Sequence, residues 1–266
     1  MRPVSADVPD LELNDGNTRP QLGLGVFRVP SADTDHVVRS AFDAGYRAID
    51  TAAMYGNEAG VGAAVRSSGL DRRSLFVTTK LWNDDHGHDR ALRAFERSLA
   101  RLGLDDVDLY LIHWPMPGLG LYVETWRALI ELRASGRARS IGVSNFDVDE
   151  LEHLIRETGV VPAVNQIELN PLHPQRRLRA FHEAHGIVTE AWSPIARGAV
   201  LADPAVSGIA TRLGRTPAQV VLRWHIQLGN VVIPKSASPS RIRENARIFD
   251  FELDPDDMRA VDGVGR

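Results

Sequence analysis

A chain of 266 residues with 43% hydrophobic and 25% charged residues has the makeup of a globular protein of one large α/β domain or two small ones. Its net charge of −4 leaves no dominant basic footprint for nucleic acid, and the absence of cysteine excludes disulfides, thiolate catalysis and Cys-type zinc sites. The opening MRPVSADVPD has no apolar core or cleavage-like site, so no signal peptide is expected, and no apolar run approaches the ~18–20 residues needed to span a bilayer. A cysteine-free chain of this kind fits a reducing compartment, and a cytoplasmic monomer without membrane or nucleic-acid partners is the expectation.

The chain opens with a hairpin signal. Leu11-Glu-Leu-Asn and Arg19-Pro-Gln-Leu flank Asp15-Gly16, a favourable tight-turn pair. Eight strand-like runs follow, at about Leu22–Val26, Ala48–Asp50, Leu75–Lys80, Val107–His113, Ser140–Ser144, Val164–Glu168, Ile187–Trp192 and Val231–Pro234. Helical periodicity fills the gaps. Leu92, Phe95, Leu99 and Leu102 share one face, as do Val148, Leu151, Leu154 and Ile155 after Asn145. Thr216-Pro217 and Ser238-Pro239 each read as an N-cap followed by proline at the first helical position. Eight strands alternating with helices predict parallel βα units, and the number eight favours a (β/α)8 TIM barrel occupying residues 1–266 as a single domain. The rival is a doubly wound dinucleotide-binding sheet, which needs G-x-G-x-x-G after its first strand; Gly23-Leu-Gly25-Val-Phe-Arg28 lacks the third glycine.

Strand interiors are apolar, but their C-terminal tips carry Asp50, Lys80, His113, Ser144-Asn145, Gln166 or Glu168, Trp192-Ser193 and Lys235-Ser236. In a barrel these tips meet on one rim, where active sites form. A buried lysine needs a counter-charge, and Asp50 on the neighbouring strand is its natural partner. Tyr55 lies five residues beyond Asp50, within reach of the same rim. An ordinary tyrosine holds its proton too tightly to be an ideal donor near neutrality; a neighbouring Lys⁺ favours the phenolate. With His113 as a further donor, the group can protonate an oxygen that gains negative charge, as when a carbonyl accepts hydride. Each residue alone has a plain structural reading: an ion pair, a loop aromatic, a core histidine.

A second constellation follows the last strand. Arg241, Glu244 and Asn245 share one face of the helix opened by Ser238, close behind Lys235 and Ser236. A helix N-terminus with Lys and Arg nearby suits a phosphate, Glu244 and Asn245 suit a purine edge, and Trp192 offers a flat face for a nicotinamide. A surface helix of mixed charge and a packed rim aromatic are the plainer alternatives. His86-Gly-His88 reads as a solvated loop, His182 and His185 do not make H-E-x-x-H, and Asn83-Asp84-Asp85 reads as a cap and loop.

These blocks resemble the aldo-keto reductases. Gly45-Tyr-Arg-Ala-Ile-Asp50-Thr-Ala-Ala-Met-Tyr55-Gly-Asn-Glu58 is similar to the family's first signature. Ile141-Gly-Val-Ser-Asn-Phe146 with Val164-Asn-Gln-Ile-Glu168 is similar to the second, and Ile233-Pro-Lys-Ser with Arg241, Glu244 and Asn245 to the third. Thr79-Lys-Leu-Trp82 and Ile112-His-Trp-Pro115 also fit, so the resemblance spans nearly the whole chain in order. It implies NADPH laid across the rim and hydride transfer to an aldehyde or ketone carbon. Tyr55 would be the proton donor, tuned by Lys80 and Asp50, with His113 orienting the carbonyl. Ser144, Asn145 and Gln166 would hold the carboxamide, and Trp192 would stack on the ring with Ser193 and Ile195 as further cofactor contacts. Lys235, Ser236 and Arg241 would take the 2′-phosphate, Glu244 and Asn245 the adenine. Tryptophan at the stacking position resembles bacterial 2,5-diketo-D-gluconate reductase-like members. An end at Arg266 leaves little chain for a C-terminal closing loop, so an open pocket walled by Phe27, Trp82 and Trp114 is expected. The same resemblance extends to potassium-channel β subunits, which leaves an NADP(H)-sensing module as an alternative. A metal-dependent barrel hydrolase would need clustered His/Asp ligands that the rim does not offer.

Overall fold

The computed structural model describes residues 8–265; the segment read as lacking a signal peptide lies mostly outside them, as does Arg266. Strands β1 (Asp10–Glu12) and β2 (Thr18–Pro20) form the expected antiparallel hairpin. Its turn is wider than a two-residue one. The Leu13 N–H donates to Asn17 O (2.8 Å) and the Gly16 N–H to Leu13 O (3.0 Å), so Asn14, Asp15 and Gly16 form a three-residue loop. Gly16 closes it at φ +85°, the left-handed position that follows a type I turn in such loops.

Eight parallel strands then pair in chain order: β3 (Gly23–Gly25), β4 (Ala48–Asp50), β5 (Phe76–Leu81), β6 (Val107–Ile112), β7 (Ala138–Ser144), β8 (Val164–Glu168), β9 (Val188–Trp192) and β10 (Val231–Val232). Parallel bridges Leu22↔Val232 and Gly25↔Lys235 join the last strand to the first, closing the barrel. All eight lie where the apolar runs place them, with ends that coincide or differ by at most two residues. The helices α1 (Ser31–Asp43), α2 (Glu58–Ser67), α3 (His88–Leu102), α4 (Tyr122–Ala134), α5 (Val148–Thr158) and α6 (Arg176–His185) each follow one strand. A pair, α7 (Pro204–Leu213) and α8 (Pro217–Gln227), follows β9, and α9 (Pro239–Asn245) and α10 (Pro255–Asp262) come last.

Alternation along the strands splits the apolar residues into two cores. Ala48, Phe76, Leu109, Leu111 and Val164 point inward and fill the barrel, with Leu13 of the hairpin loop packed among them. Their neighbours Ile49, Val77, Tyr110, Ile112 and Val143 point outward and meet the helices. The buried faces of α3 (Phe95, Leu99, Leu102) and α5 (Leu151, Leu154) are those the periodicity indicates. Thr216 caps α8 in a reciprocal box with Gln219. Ser238 occupies the N-cap position of α9 but makes no side-chain cap; its hydroxyl pairs with Ser240 Oγ at 2.8 Å instead. Among the described residues no helix is long and apolar enough to cross a membrane.

Candidate active site

The rim is organised around one buried ion pair. Lys80 Nζ lies 2.6 Å from Asp50 Oδ1 and also donates to Thr51 O at 2.9 Å. Neither side chain is more than 2% exposed. The second oxygen of Asp50 accepts from Gln166 Nε2 at 2.8 Å, so the carboxylate is held from two strands. Lys80 Nζ sits 3.4 Å from the Tyr55 hydroxyl.

Tyr55 is brought back over the rim by a 3-10 turn, Ala53–Tyr55, that leaves β4. The turn is anchored by Asn57, which is fully buried. Asn57 Oδ1 accepts from Thr51 Oγ1 (2.8 Å), and its Nδ2 donates to Val26 O (2.9 Å) and Val29 O (3.2 Å). Glu58 beside it accepts from Thr79 Oγ1 (2.6 Å) and is ion-paired with Arg101. Asn57 and Glu58 lie within the first signature block, and their burial between two loops is what a linear pattern omits.

Burial pushes the Tyr55 hydroxyl above the ordinary tyrosine range. Lys80 opposes that shift, with the sign expected, but burial outweighs it, and Asp50 and Glu190 add to the rise. For Lys80, burial disfavours the ammonium, yet Asp50, Tyr55 and Glu190 outweigh it and leave the lysine above its ordinary range. His113 is 7% exposed; burial first and Lys80 second push it down to about 3, so the ring is neutral near pH 7. Its Nδ1 is buried without a hydrogen-bond partner. Aromatic rings enclose the spot: Tyr55 and His113 centroids are 5.8 Å apart, Trp82 and His113 5.2 Å, and Phe27 and Tyr55 5.0 Å.

The next strand tips join through amides. Ser144 Oγ donates to Gln166 O (2.8 Å), and Asn145 Nδ2 donates to His113 O (2.9 Å) and Ser144 Oγ (3.0 Å). Trp192 Nε1 donates to Asn145 Oδ1 at 2.9 Å, which fixes the edge of the indole. The structure therefore joins Asp50, Tyr55, Lys80, His113, Ser144, Asn145, Gln166 and Trp192 in one network, with Phe27 and Trp82 against it. Trp114 stands apart, 40% exposed. Ser193 and Ile195 continue from Trp192 in a segment pinned where Pro194 O meets His225 Nε2 at 3.0 Å.

The residues after β10 form a separate group. Lys235 and Arg241 are exposed, Ser236 and Asn245 are buried, and Glu244 is half-buried, so the face expected of α9 is not uniformly open. Glu244 accepts from Thr216 Oγ1 at 2.9 Å, and Ser236 Oγ accepts from the Ser238 N–H at 3.1 Å.

Seven non-glycine residues among those described adopt positive φ: Arg28, Met116, Asn145, Gln175, Ser193, Ala196 and Arg197. Every one lies on a loop that follows a strand, on the rim side of the barrel. A cavity of about 500 Å³ lies at the opposite end beneath the hairpin, lined by Arg47, Arg73, Asp108 and Arg139 among others, and none of the rim residues lines it. His86 departs from the solvated reading. It is buried, with Nδ1 3.0 Å from Thr125 Oγ1 and Nε2 3.0 Å from Trp114 O, because the loop folds under α4. His182 is likewise buried between Asn165 Nδ2 (3.0 Å) and Thr189 Oγ1 (2.8 Å). Among the described residues no three His, Asp or Glu side chains are grouped as metal ligands. Beneath the rim lies a charge pair the sequence did not disclose: Arg19 of the hairpin and Glu190 of β9, at most 1% exposed, joined through the two terminal guanidinium nitrogens.

This geometry has counterparts. Residues 21–266 match the profile of the Aldo/keto reductase family. An aldo-keto reductase of Mycolicibacterium smegmatis is 56% identical over 253 residues, covering 95% of this chain and 92% of that protein. The methylglyoxal reductase DkgA of Escherichia coli K12 is 50% identical, covering 94% and 91%. The solved structure of a Gox0644 variant in complex with NADPH superposes with a TM-score of 0.92 at 53% identity, covering 96% of this chain and 92% of that one. The chain belongs to the aldo/keto reductase family.

Proposed function

We propose that this chain reduces aldehyde and ketone carbonyls with NADPH, and that its whole length works as one barrel unit. The observation that carries the reading is the Tyr55 hydroxyl set 3.4 Å from a lysine that a buried aspartate keeps charged. The rim fits the cofactor: the indole N–H of Trp192 is clasped by Asn145, so the ring is held by its edge, and exposed Lys235 and Arg241 suit a phosphate. When bound, NADPH would supply the hydride. Ser144, Asn145 and Gln166 would orient its amide end beside Trp192, Ser193 and Ile195, and Ser236, Glu244 and Asn245 would complete the distal contacts. Lys235 and Arg241 would select the 2′-phosphate.

The chain's own chemistry is proton delivery. Tyr55 gives its proton to the carbonyl oxygen as negative charge gathers there, and Lys80, held by Asp50, stabilises the phenolate left behind. A tyrosine raised by burial keeps its proton until that moment. Neutral His113 offers one ring N–H to the same oxygen, and Phe27, Trp82 and Trp114 would wall the substrate. The relative in Escherichia coli makes methylglyoxal a sensible first substrate. The same reading places the protein in the reducing cytoplasm as a monomer, the latter checked by size-exclusion chromatography. Purified protein should oxidise NADPH, followed at 340 nm, on addition of methylglyoxal. Tyr55→Phe should lower kcat by roughly 100-fold or more, the scale of lost general-acid catalysis, while NADPH still binds. Undiminished turnover would remove Tyr55 from the mechanism.

A further inference from the structure

Two fully buried ion pairs lie inside the barrel, and the rim chemistry uses one of them. Lys80 and Asp50 form the upper pair. Below it, Glu190 is fully buried on β9 and Arg19 enters from β2, across 171 residues of chain. Glu190 aligns with Gln166 on β8 and Val231 on β10. It lies two residues before Trp192 on the same strand, so its side chain faces the barrel axis as the indole does. Gln166 in turn donates to Asp50. Arg19 stacks over the Phe76 ring at 5.0 Å, which wedges its stem into the inner core.

We propose that Glu190, clamped by Arg19, is a positioning residue for the reduction: it supplies a second buried counter-charge beneath Lys80 that, with Asp50, holds the ammonium and the proton-bearing Tyr55 in their working state. The inference rests on the carbonyl-reductase reading of the rim.

The argument is electrostatic. Both Glu190 oxygens accept from guanidinium nitrogens, the fork geometry of a carboxylate rather than of an acid. Burial pushes the Glu190 carboxyl up and Arg19 opposes that rise. The charged groups with the largest effect on Tyr55 are Lys80, which favours the phenolate, and Asp50 and Glu190, which oppose it; the neutral ring of His113 packs beside it. Glu190 acts on Lys80 in the same sense as Asp50, favouring its charge. Arg19 enters from the hairpin that packs on the starts of the strands, while Glu190 lies two residues below Trp192, so the end of the pair turned toward the rim is the negative one. Arg19 makes that burial tolerable and points the charge upward.

A buried pair replaced on both sides by neutral groups of similar volume usually leaves a protein folded. Arg19→Met/Glu190→Gln therefore removes the charge without stranding a partner. Tyr55 ionisation is read as the tyrosinate absorbance that disappears in a Tyr55→Phe background, which needs no turnover. In the double variant that ionisation should move to lower pH by roughly 0.3–0.5 unit, the net of removing a negative charge and its positive partner a few ångströms farther from the rim at an effective dielectric near 20. The alkaline limb of the kcat/KM profile for methylglyoxal reduction should move with it, while Arg19→Lys should stay near the parent. A purely structural pair would lower stability and leave both curves in place. An unmoved Tyr55 titration overturns the inference even in an active enzyme. A moved titration in a protein that reduces no carbonyl supports the electrostatic link and defeats the reductase reading instead. If Arg19→Met/Glu190→Gln does not fold, Arg19→Gln/Glu190→Gln keeps a hydrogen bond in place of the charge and carries the same expectation.

Discussion

In Asp50→Asn, one carboxylate oxygen becomes an amide nitrogen at a position only 2% exposed. Two donors address that carboxylate, Lys80 Nζ on one oxygen and Gln166 Nε2 on the other. Asparagine presents a single acceptor, so one donor must face an NH2 group, and the ammonium loses its nearest counter-charge in either rotamer. Lys80 would keep Thr51 O at 2.9 Å and the Tyr55 hydroxyl at 3.4 Å. Removing one partner of a buried pair costs about 3–5 kcal/mol, and these surviving acceptors place this case near about 3 kcal/mol. For a chain of this size that corresponds to a fall in Tm of roughly 6–12 °C. Urea unfolding at pH 7, followed together by tryptophan fluorescence and far-UV circular dichroism, measures it. Asp50→Asn/Lys80→Met should recover most of the loss, since no bare charge then remains. A loss under about 1 kcal/mol in the single variant with unchanged m, or a double variant no more stable than the single, would show that the pair does not carry this energy.

Three further expectations follow from other parts of the molecule. Lys235→Ala and Arg241→Ala should each weaken NADPH binding much more than NADH binding, measured by quenching of tryptophan fluorescence; equal losses would refute the 2′-phosphate assignment. His113 and His225 are pushed down to about 3 and His182 to about 4, chiefly by burial, so between those values and about 6.5 the unfolded chain binds protons that the folded chain does not. Stability should therefore hold above pH 6.5 and decline as pH falls, by up to about 1.4 kcal/mol per pH unit for each histidine, and a urea midpoint equal at pH 7 and pH 5 would contradict this. Gly62 of α2 sits so close to the end of α3 that an added Cβ would lie 1.7 Å from Leu102 O, which is backbone and cannot rotate away. Gly62→Ala should cost about 3 kcal/mol or more, the upper end for overpacking, and a neutral result in thermal unfolding would refute the close approach.

Much of the barrel could be read from the chain because each strand is a short apolar run that stops at a polar side chain. Asp50, Lys80 and His113 stood out for that reason, and the structure gathers them with Tyr55, Asn145 and Trp192 as the shared rim requires. What escaped were contacts whose two halves are far apart. A glutamate inside Val188–Trp192 signals a buried charge in need of a partner, but nothing local points to Arg19. His86 looked solvated because its neighbours are polar; only the packing of Thr125 over it makes it a core group. The spacing of Arg241, Glu244 and Asn245 puts them on one helical face, yet the cap of α8 claims Glu244 and burial claims Asn245.

The seven left-handed residues on the rim loops divide the molecule along its axis. Each such conformation costs on the order of 1 kcal/mol or more relative to a relaxed backbone, and the strand-leading loops at the other end carry none outside glycine among the described residues. Thermal robustness and reactivity are thus separable design variables here. Apart from Arg19, the hairpin end can be stiffened without touching the hydrogen bonds that hold the rim residues. At the reactive end, easing Asn145 or Ser193 toward glycine would raise comfort and lower aim together, because the same twisted backbone that is unfavourable for folding is what turns Trp192 and its amide neighbours toward one point.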